Sequence, residues 1–245
     1  MSQSVLDEDV PFTLKQLRAL SPGLASALDR GYTKSYDFFV EKLYQDIDEV
    51  TAVIERGRDV RRDDSEDRTT EEIVSFLIGR GYAATANSHQ SGHCDITVEN
   101  RAGLVWLGEA KKHSDYDYLW KGFNQLTTRY STGAPSSTSG GMLIYIRTQK
   151  PASDVIAEWR QRLGVQGLTD YVESDCSERP GLSFYSHHKH GVSGLTYSVR
   201  HMGIMMAFAP KDDGAKLQKK ADDNATGTPA SATPAVVDAL AKSGD

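Results

Sequence analysis

The feature that most limits the fold is a short run of apolar residues in the middle of the chain, Met142–Ile146. Side chains of a strand alternate between two faces, so a run that is apolar at every position buries both faces. Such a strand belongs in the middle of a sheet that helices cover on both sides. Helical patterns flank the run at 116–130 and 152–163. The sequence therefore predicts an α/β fold with a mixed central sheet flanked by helices.

The first part of the chain, residues 1–62, is predicted to be an N-terminal helical arm. Ser21 followed by Pro22 is typical of a helix start. A longer helix carries apolar residues in steps of three and four, at Phe39, Leu43, Ile47, Val50 and Ile54. This stripe has two interpretations: it docks on the chain's own core, or it forms a surface for a protein partner or a second copy.

Two further regions follow from pattern and composition. Residues 63–210 alternate helices with short strands and form the predicted main domain, including the late strand candidates 182–186 and 195–208. Residues 211–245 are rich in Ala, Asp, Lys, Thr and Pro, without an aromatic residue. Too little apolar surface is available there to offset the entropy of ordering, so this stretch is predicted to be a disordered tail.

Charge and cysteine content narrow the class of protein. The chain has 34 acidic and 28 basic residues, a net charge of -6, which argues against coating nucleic acid by bulk charge. Cys94 and Cys176 lie far apart without a CxxC motif, so neither a disulfide framework nor a four-ligand zinc site is indicated. The N-terminus shows no signal peptide, and no long apolar run predicts a membrane span. We expect a cytoplasmic protein with no membrane contact.

The residues that carry chemistry lie on two predicted strands, Cys94–Glu99 and Leu104–Ala110. Glu109 and Lys111 are two positions apart, so their side chains project from the same face of a strand. Pairing of the two strands would place Asp95 beside Glu109, next to the ammonium of Lys111. Two carboxylates suit a hard cation such as Mg²⁺, with Mn²⁺ as a second candidate, and Asp95 and Glu109 are the predicted metal ligands.

This run resembles the signature of the PD-(D/E)xK nuclease superfamily, which has the restriction-endonuclease-like fold. Asp95 matches the first acid, Glu109 the second and Lys111 the lysine, while Cys94 stands where the motif has Pro. The predicted order of elements over about 66–146, a helix, three strands, a helix and a strand, is also similar to the core of that superfamily. The resemblance implies a restriction-endonuclease-like core that hydrolyses phosphodiester bonds with Mg²⁺.

The resemblance also implies supporting residues. The superfamily often takes another acid from the helix before the first strand, and Glu66, Glu71 and Glu72 compete for that role here. We favour Glu72, which faces the border of the apolar side of a helix at 69–80, although a capping role with Thr69 also explains it. Gln125 matches the glutamine of the helix after the lysine, although a plain surface glutamine explains it equally well. Cations in the same region form the expected DNA surface: Lys112, Lys121 and Arg129.

Histidines form a second conspicuous group, at 187, 188 and 190, with His201 further along the chain. Imidazoles are common metal ligands. The run is followed by Gly191 and Gly194, however, which is typical of a loop between two strands. We therefore expect these histidines on an exposed hairpin loop rather than in a dedicated metal site.

The leading hypothesis is a metal-dependent DNA endonuclease, with a prokaryotic restriction or antiviral defence effector as its setting. Because the chain is acidic, we expect it to act with a protein partner or as a homo-oligomer through the N-terminal helices. Two alternatives stay open. One is a DNA repair or recombination nuclease that is similar to a Holliday-junction resolvase; the other is a non-catalytic subunit with a nuclease-like fold.

Overall fold

A computed structural model of the chain describes residues 13–89 and 93–210. The predicted tail and the glycine at position 92 lie outside the described residues. The helices are α1 Leu14–Leu20, α2 Pro22–Tyr32, α3 Tyr36–Arg56, α4 Glu66–Gly79, α5 Tyr116–Asn124, a π-helix Gln125–Tyr130, and α6 Ala152–Gly164. The strands are β1 Ala83–His89, β2 His93–Glu99, β3 Val105–Lys112, β4 Ser139–Ile146, β5 Val172–Asp175, β6 Ser183–Lys189 and β7 Thr196–Met205.

The strands form one mixed sheet in the order β1-β2-β3-β4-β7-β6-β5. The pairs β3–β4 and β4–β7 are parallel, and all the other pairs are antiparallel. Strand β4, which contains the apolar run Met142–Ile146, therefore occupies the central position of seven, as its two buried faces require. The expectation of an α/β fold with a mixed central sheet is confirmed.

Helices cover both faces of the sheet. Leu143 and Tyr145 of β4 pack into a core with α3 and α4, whereas Met142 and Ile144 pack into a second core with α5 and α6. The alternation of a single strand thus divides the interior into two layers. The described residues as far as Phe208 belong to one compact unit. No helix within 13–89 and 93–210 has the length and apolar character needed to cross a membrane.

The apolar stripe of α3 is buried against the sheet. All five of its residues lie in the same core as β4, and Ile47 and Ile54 are fully inaccessible to solvent. Tyr36, at the start of α3, fastens the helix to the sheet because its hydroxyl donates to the carbonyl of Val105 at 3.0 Å and accepts from the amide of Ser139 at 3.0 Å. The stripe thus docks on the chain's own core, the first of its two interpretations.

Several predicted element boundaries are wrong. Helix α4 begins at Glu66, where the Ser65 hydroxyl caps it, and not at Thr69. The Thr69 hydroxyl donates to the Ser65 carbonyl instead of capping a helix. The predicted helix 116–130 divides into α5 and the π-helix, and the short strand β5 had no prediction. The shift of three residues at α4 matters most, because it decides which acidic side chain faces the sheet.

Candidate active site

Asp95, Glu109 and Lys111 converge where β2 and β3 meet. Ile96 pairs with Gly108 in the antiparallel ladder, and Asp95 and Glu109 are the next residues on the two strands. The Nζ atom of Lys111 lies 2.6 Å from Oε1 of Glu109 and 3.4 Å from Oδ2 of Asp95. The backbone amide of Ala110 also donates to Asp95 Oδ2 at 2.9 Å, which fixes that carboxylate. The structure brings the three predicted residues together.

A third carboxylate comes from the first residue of α4. Glu66 Oε1 lies 3.9 Å from Lys111 Nζ, and its Oε2 accepts a hydrogen bond from the backbone amide of Lys112. The hydroxyl of Tyr118, on α5, donates to Glu66 Oε1 at 3.5 Å. Glu66 therefore connects α4, β3 and α5 at the edge of the acidic cluster.

The structure does not bring Glu72, the favoured helix acid, into the cluster. Its carboxylate accepts from Nη2 and Nε of Arg61 at 2.6 and 2.9 Å, and this pairing lowers its pKa. Glu72 and Arg61 line a surface pocket together with Arg68 and Glu71, apart from the carboxylates of the strands. Helix α4 starts three residues earlier than predicted, so Glu66 belongs to the helix. Successive helical residues differ by about 100° in direction, so Glu66 faces β3 while Glu72 faces this other pocket.

Burial governs the electrostatics of the cluster. The side chain of Glu109 is 1% exposed, and its Oε2 atom has no hydrogen-bond partner within 13–89 and 93–210. Burial, followed by the negative charge of Asp95, raises the pKa of Glu109 to about 7. Burial disfavours the charged ammonium of Lys111, but Glu109 and Asp95 outweigh that effect, so the pKa of Lys111 is raised. Burial also raises the pKa of Glu66.

Helix α5 lies directly over Lys111. A Cβ atom at Gly122 would be 2.8 Å from Cγ of Lys111 and 3.4 Å from Cγ of Glu109, so only glycine allows this approach. On the same helix, the ring centroid of Tyr118 is 5.5 Å from Lys111 Nζ, within the range of a cation–π interaction. The stem of Lys111 is thus confined between its own strand and α5.

The π-helix after α5 carries Gln125. The wider turn brings residues five apart together, and Gln125 Nε2 donates to the hydroxyl of Tyr130 at 3.3 Å. Burial raises the pKa of Tyr130, and the nearby charges of Glu109 and Asp95 add to the rise. Gln125 therefore borders the cluster through Tyr130 and makes no hydrogen bond to its carboxylates within the described residues.

The three predicted DNA-contacting cations are all exposed. Lys112 ends β3, Lys121 lies beside Gly122, and Arg129 lies on the π-helix. None of them makes an ion pair with another of the described residues, so their charges remain available for phosphates.

The cluster suits a divalent cation in its donor atoms and charge. Glu66, Asp95 and Glu109 surround a single ammonium, which leaves two excess negative charges when all three are ionised. Carboxylate oxygens are the donors that Mg²⁺ prefers, and Glu109 offers a buried oxygen that has no partner among the described residues. As the side chains stand, 13–89 and 93–210 contain no group of three or more His, Cys, Asp or Glu set around one metal position. Asp95 and Glu109 are the residues that would hold the ion.

The histidine run is not an exposed loop, contrary to the prediction. It lies on β6 and its end, and His188, His190 and His201 are all buried. The indole of Trp159 donates to Nδ1 of His201 at 3.0 Å, so Nε2 carries the proton and donates to the Ser186 hydroxyl at 2.9 Å. These bonds require a neutral imidazole, which gives His201 a structural role in the second core.

Sequence reasoning missed Tyr118, Gly122 and Tyr130 as neighbours of the cluster. A glycine within an amphipathic helix was a usable signal for close packing at Gly122. The tyrosines had no comparable signal, because their positions depend on how α5 and the π-helix dock. Comparison with protein-family models, with curated proteins and with solved structures found no match for this chain.

Proposed function

We propose that the chain is a metal-dependent DNA endonuclease with a PD-(D/E)xK-type site on a restriction-endonuclease-like core. One observation carries the proposal: two carboxylates from paired strands, Asp95 and Glu109, converge on Lys111 at 3.4 and 2.6 Å. A solvated surface ion pair would explain Glu109 and Lys111 separately. It does not explain why three acidic side chains gather around one lysine at the end of a covered strand.

Each residue has a role in this proposal. Mg²⁺, or Mn²⁺ in its place, supplies Lewis acidity and charge neutralisation for a phosphodiester when it is bound. Asp95 and Glu109 provide the oxygen donors, and the backbone amide of Ala110 holds the Asp95 carboxylate in place. Lys111 donates a hydrogen bond to a phosphate oxygen and stabilises its developing negative charge. In the overall hydrolysis, the oxygen of water ends on phosphorus and one phosphorus–oxygen ester bond breaks.

DNA is the proposed substrate because exposed cations border the acidic cluster. Lys112, Lys121 and Arg129 lie on the strand and helices that frame it. The net charge of -6 nevertheless predicts weak bulk affinity, so we propose that a protein partner or a second copy adds to the binding surface. A prokaryotic restriction or antiviral defence system, acting in the cytoplasm, is the proposed setting.

Cleavage of plasmid and linear DNA by the purified chain tests the proposal. We expect cutting with Mg²⁺ or Mn²⁺ and none with EDTA, and we expect the loss of cutting in Asp95→Asn and Lys111→Ala. Asp117→Asn, an exposed acid in the first turn of α5, is the matched control and should cut like the wild type. Cutting that survives either site substitution would contradict the assignment.

The same assay separates the other functions. Preference for four-way junctions over duplex DNA would indicate a repair or recombination nuclease. A stable complex with another protein, without cation-dependent cleavage by that complex, would indicate a non-catalytic subunit.

A further inference from the structure

The ammonium of Lys111 has no hydrogen-bond donor to spare. Its three N–H groups match three acceptors within reach: Glu109 Oε1 at 2.6 Å, the Ala110 carbonyl at 3.0 Å and Asp95 Oδ2 at 3.4 Å. The side chain is 8% exposed. Lys111 therefore cannot donate to a phosphate oxygen in this arrangement unless it first releases one of its partners.

The carboxylates face the same conflict. Glu109 Oε1 and Asp95 Oδ2 are the atoms that bind the ammonium, and they are also donors that a divalent cation would use. Two cations that are both bound closely to these oxygens would repel each other strongly in a buried site. Among the residues that the structure describes, the buried Oε2 atom of Glu109 has no hydrogen-bond partner.

We infer that Lys111 is the internal counter-ion of this acidic cluster and is released from Glu109 and Asp95 when a divalent cation binds. The identity of the cation and of the substrate rests on the proposed function. In this arrangement Lys111 weakens the affinity of the site for the cation. It becomes available to a phosphate only after the cation is in place, which orders cation binding before productive binding of DNA.

A position for the released ammonium already exists beside the cluster. Glu66 Oε1 lies 3.9 Å from Nζ, and the ring of Tyr118 lies 5.5 Å away. Gly122 confines the stem of Lys111 near its Cγ and Cε atoms, so the head of the side chain must move while the stem remains in place. A shift toward Glu66 and Tyr118 keeps the charge partly compensated.

Reductive methylation of the wild-type protein tests the release directly. Protein is treated with formaldehyde and a borane reductant, in EDTA or with saturating Mn²⁺ or Mg²⁺, and the modification of each lysine is read by fragment mass spectrometry. We expect the methylation rate of Lys111 to rise about tenfold or more with the cation, because the ion pairs that protect it are lost. The neighbouring exposed Lys112 is the internal reference and should not change.

Calorimetric titration with Mn²⁺ supplies a second measurement that does not depend on cleavage. Lys111→Met should bind Mn²⁺ about tenfold more tightly than the wild type. Lys15→Met, at an exposed position of α1 outside the site, is the control and should stay within about twofold of the wild type. If Lys111→Met fails to fold, the methylation of the wild type decides.

Three results would overturn the inference: equal or weaker Mn²⁺ binding by folded Lys111→Met, unchanged Lys111 methylation in protein that calorimetry shows to be loaded, or no cation binding by the wild type at millimolar concentration. Release of Lys111 without any DNA cleavage would instead refute the proposed function and support the inference. The two failures are therefore distinguishable.

Discussion

At the scale of single residues, the site depends on a glycine as much as on its charged side chains. Gly122 allows α5 to approach Lys111 so closely that a Cβ atom there would be 2.8 Å from the lysine Cγ. An added methyl group must displace either the helix or the lysine stem. The geometry of the acidic cluster is thus set partly by a residue that has no side chain.

We expect Gly122→Ala to reduce DNA cleavage about 100-fold, because displacement of a reacting group by about 1 Å has an effect of this size. The matched control is Gly79→Ala in α4, where a Cβ atom has nothing within 4 Å. Initial rates of plasmid nicking measure both variants. Equal rates for Gly122→Ala and the wild type would show that Lys111 does not need this confinement.

Glu109 gives the site a pH dependence near neutrality. Burial raises its pKa to about 7, so the carboxylate that should hold the cation is protonated below that pH. We expect the cleavage rate to fall about tenfold per pH unit below about 7, and we expect higher Mg²⁺ concentrations to move the midpoint to lower pH. A pH–rate profile at two Mg²⁺ concentrations measures both effects. If the midpoint of the pH–rate profile does not change with the Mg²⁺ concentration, Glu109 is excluded as a ligand of the cation.

At the scale of elements, the start of α4 decides which acid joins the site. The capping signal that the sequence indicates is the pair Thr69 and Glu72, whereas in the structure the Ser65 hydroxyl caps the helix. Local sequence does not distinguish them, because packing of α4 on α3 and the sheet selects the start. This is why Glu66, and not Glu72, reaches Lys111.

Glu66→Gln and Glu72→Gln should therefore have different effects. Glu66→Gln should lower DNA cleavage with little change in stability, because it removes one charge beside Lys111 while keeping the shape of the side chain. Glu72→Gln should leave cleavage unchanged and lower the free energy of unfolding by at most about 1 kcal/mol, because its partner Arg61 is partly exposed. Nicking assays combined with urea unfolding separate the two. The reverse pattern would restore Glu72 as the helix acid.

Other elements differ in how well the sequence predicts them. The central place of β4 and the meeting of Asp95 with Glu109 follow from strand alternation, which is a local rule. The π-helix could not be predicted, because its five-residue hydrogen bonds are selected by docking rather than by composition. The two glycines that follow the histidines of β6 indicated a loop. These histidines are buried because β6 pairs with β7, and the local sequence does not show that pairing.

At the scale of the whole molecule, the buried histidines make the fold sensitive to acid. Burial lowers the pKa of His188 to about 4 and of His201 to about 3. Below the unfolded value of about 6.5, the unfolded chain binds protons that the folded chain does not, so stability falls as pH decreases. Each histidine contributes a slope of about 1.4 kcal/mol per pH unit between its two pKa values.

We expect His188→Phe to remove about half of the loss that His188 and His201 cause together, because one of the two imidazoles is gone. Within the described part of the chain Nδ1 of His188 has no hydrogen-bond partner, so the substitution breaks no hydrogen bond at that atom. Urea unfolding of the wild type and the variant from pH 7.5 down to about 4.5 measures the difference. Glu109 has the opposite effect on the free energy of unfolding between about pH 4.5 and 7, because its pKa is raised in the folded protein. Its contribution is the same in both proteins and cancels in the difference between their unfolding free energies. Parallel curves for the two proteins would show that His188 does not titrate on unfolding.

The chain order of the strands in the mixed sheet also determines when the acidic cluster becomes buried during synthesis. Every side chain of the acidic cluster lies between Glu66 and Lys111. In contrast, β4, which makes β3 an interior strand, lies at 139–146, and β7, which pairs with β4, lies at 196–205. During synthesis the charged residues therefore emerge well before the strands that bury them. Until then, Glu109 and Lys111 should remain hydrated and unconfined. If the proposed function is right, a growing chain would be harmless to nearby DNA, and the ability to cut would arise only late in translation, once the parallel core has formed.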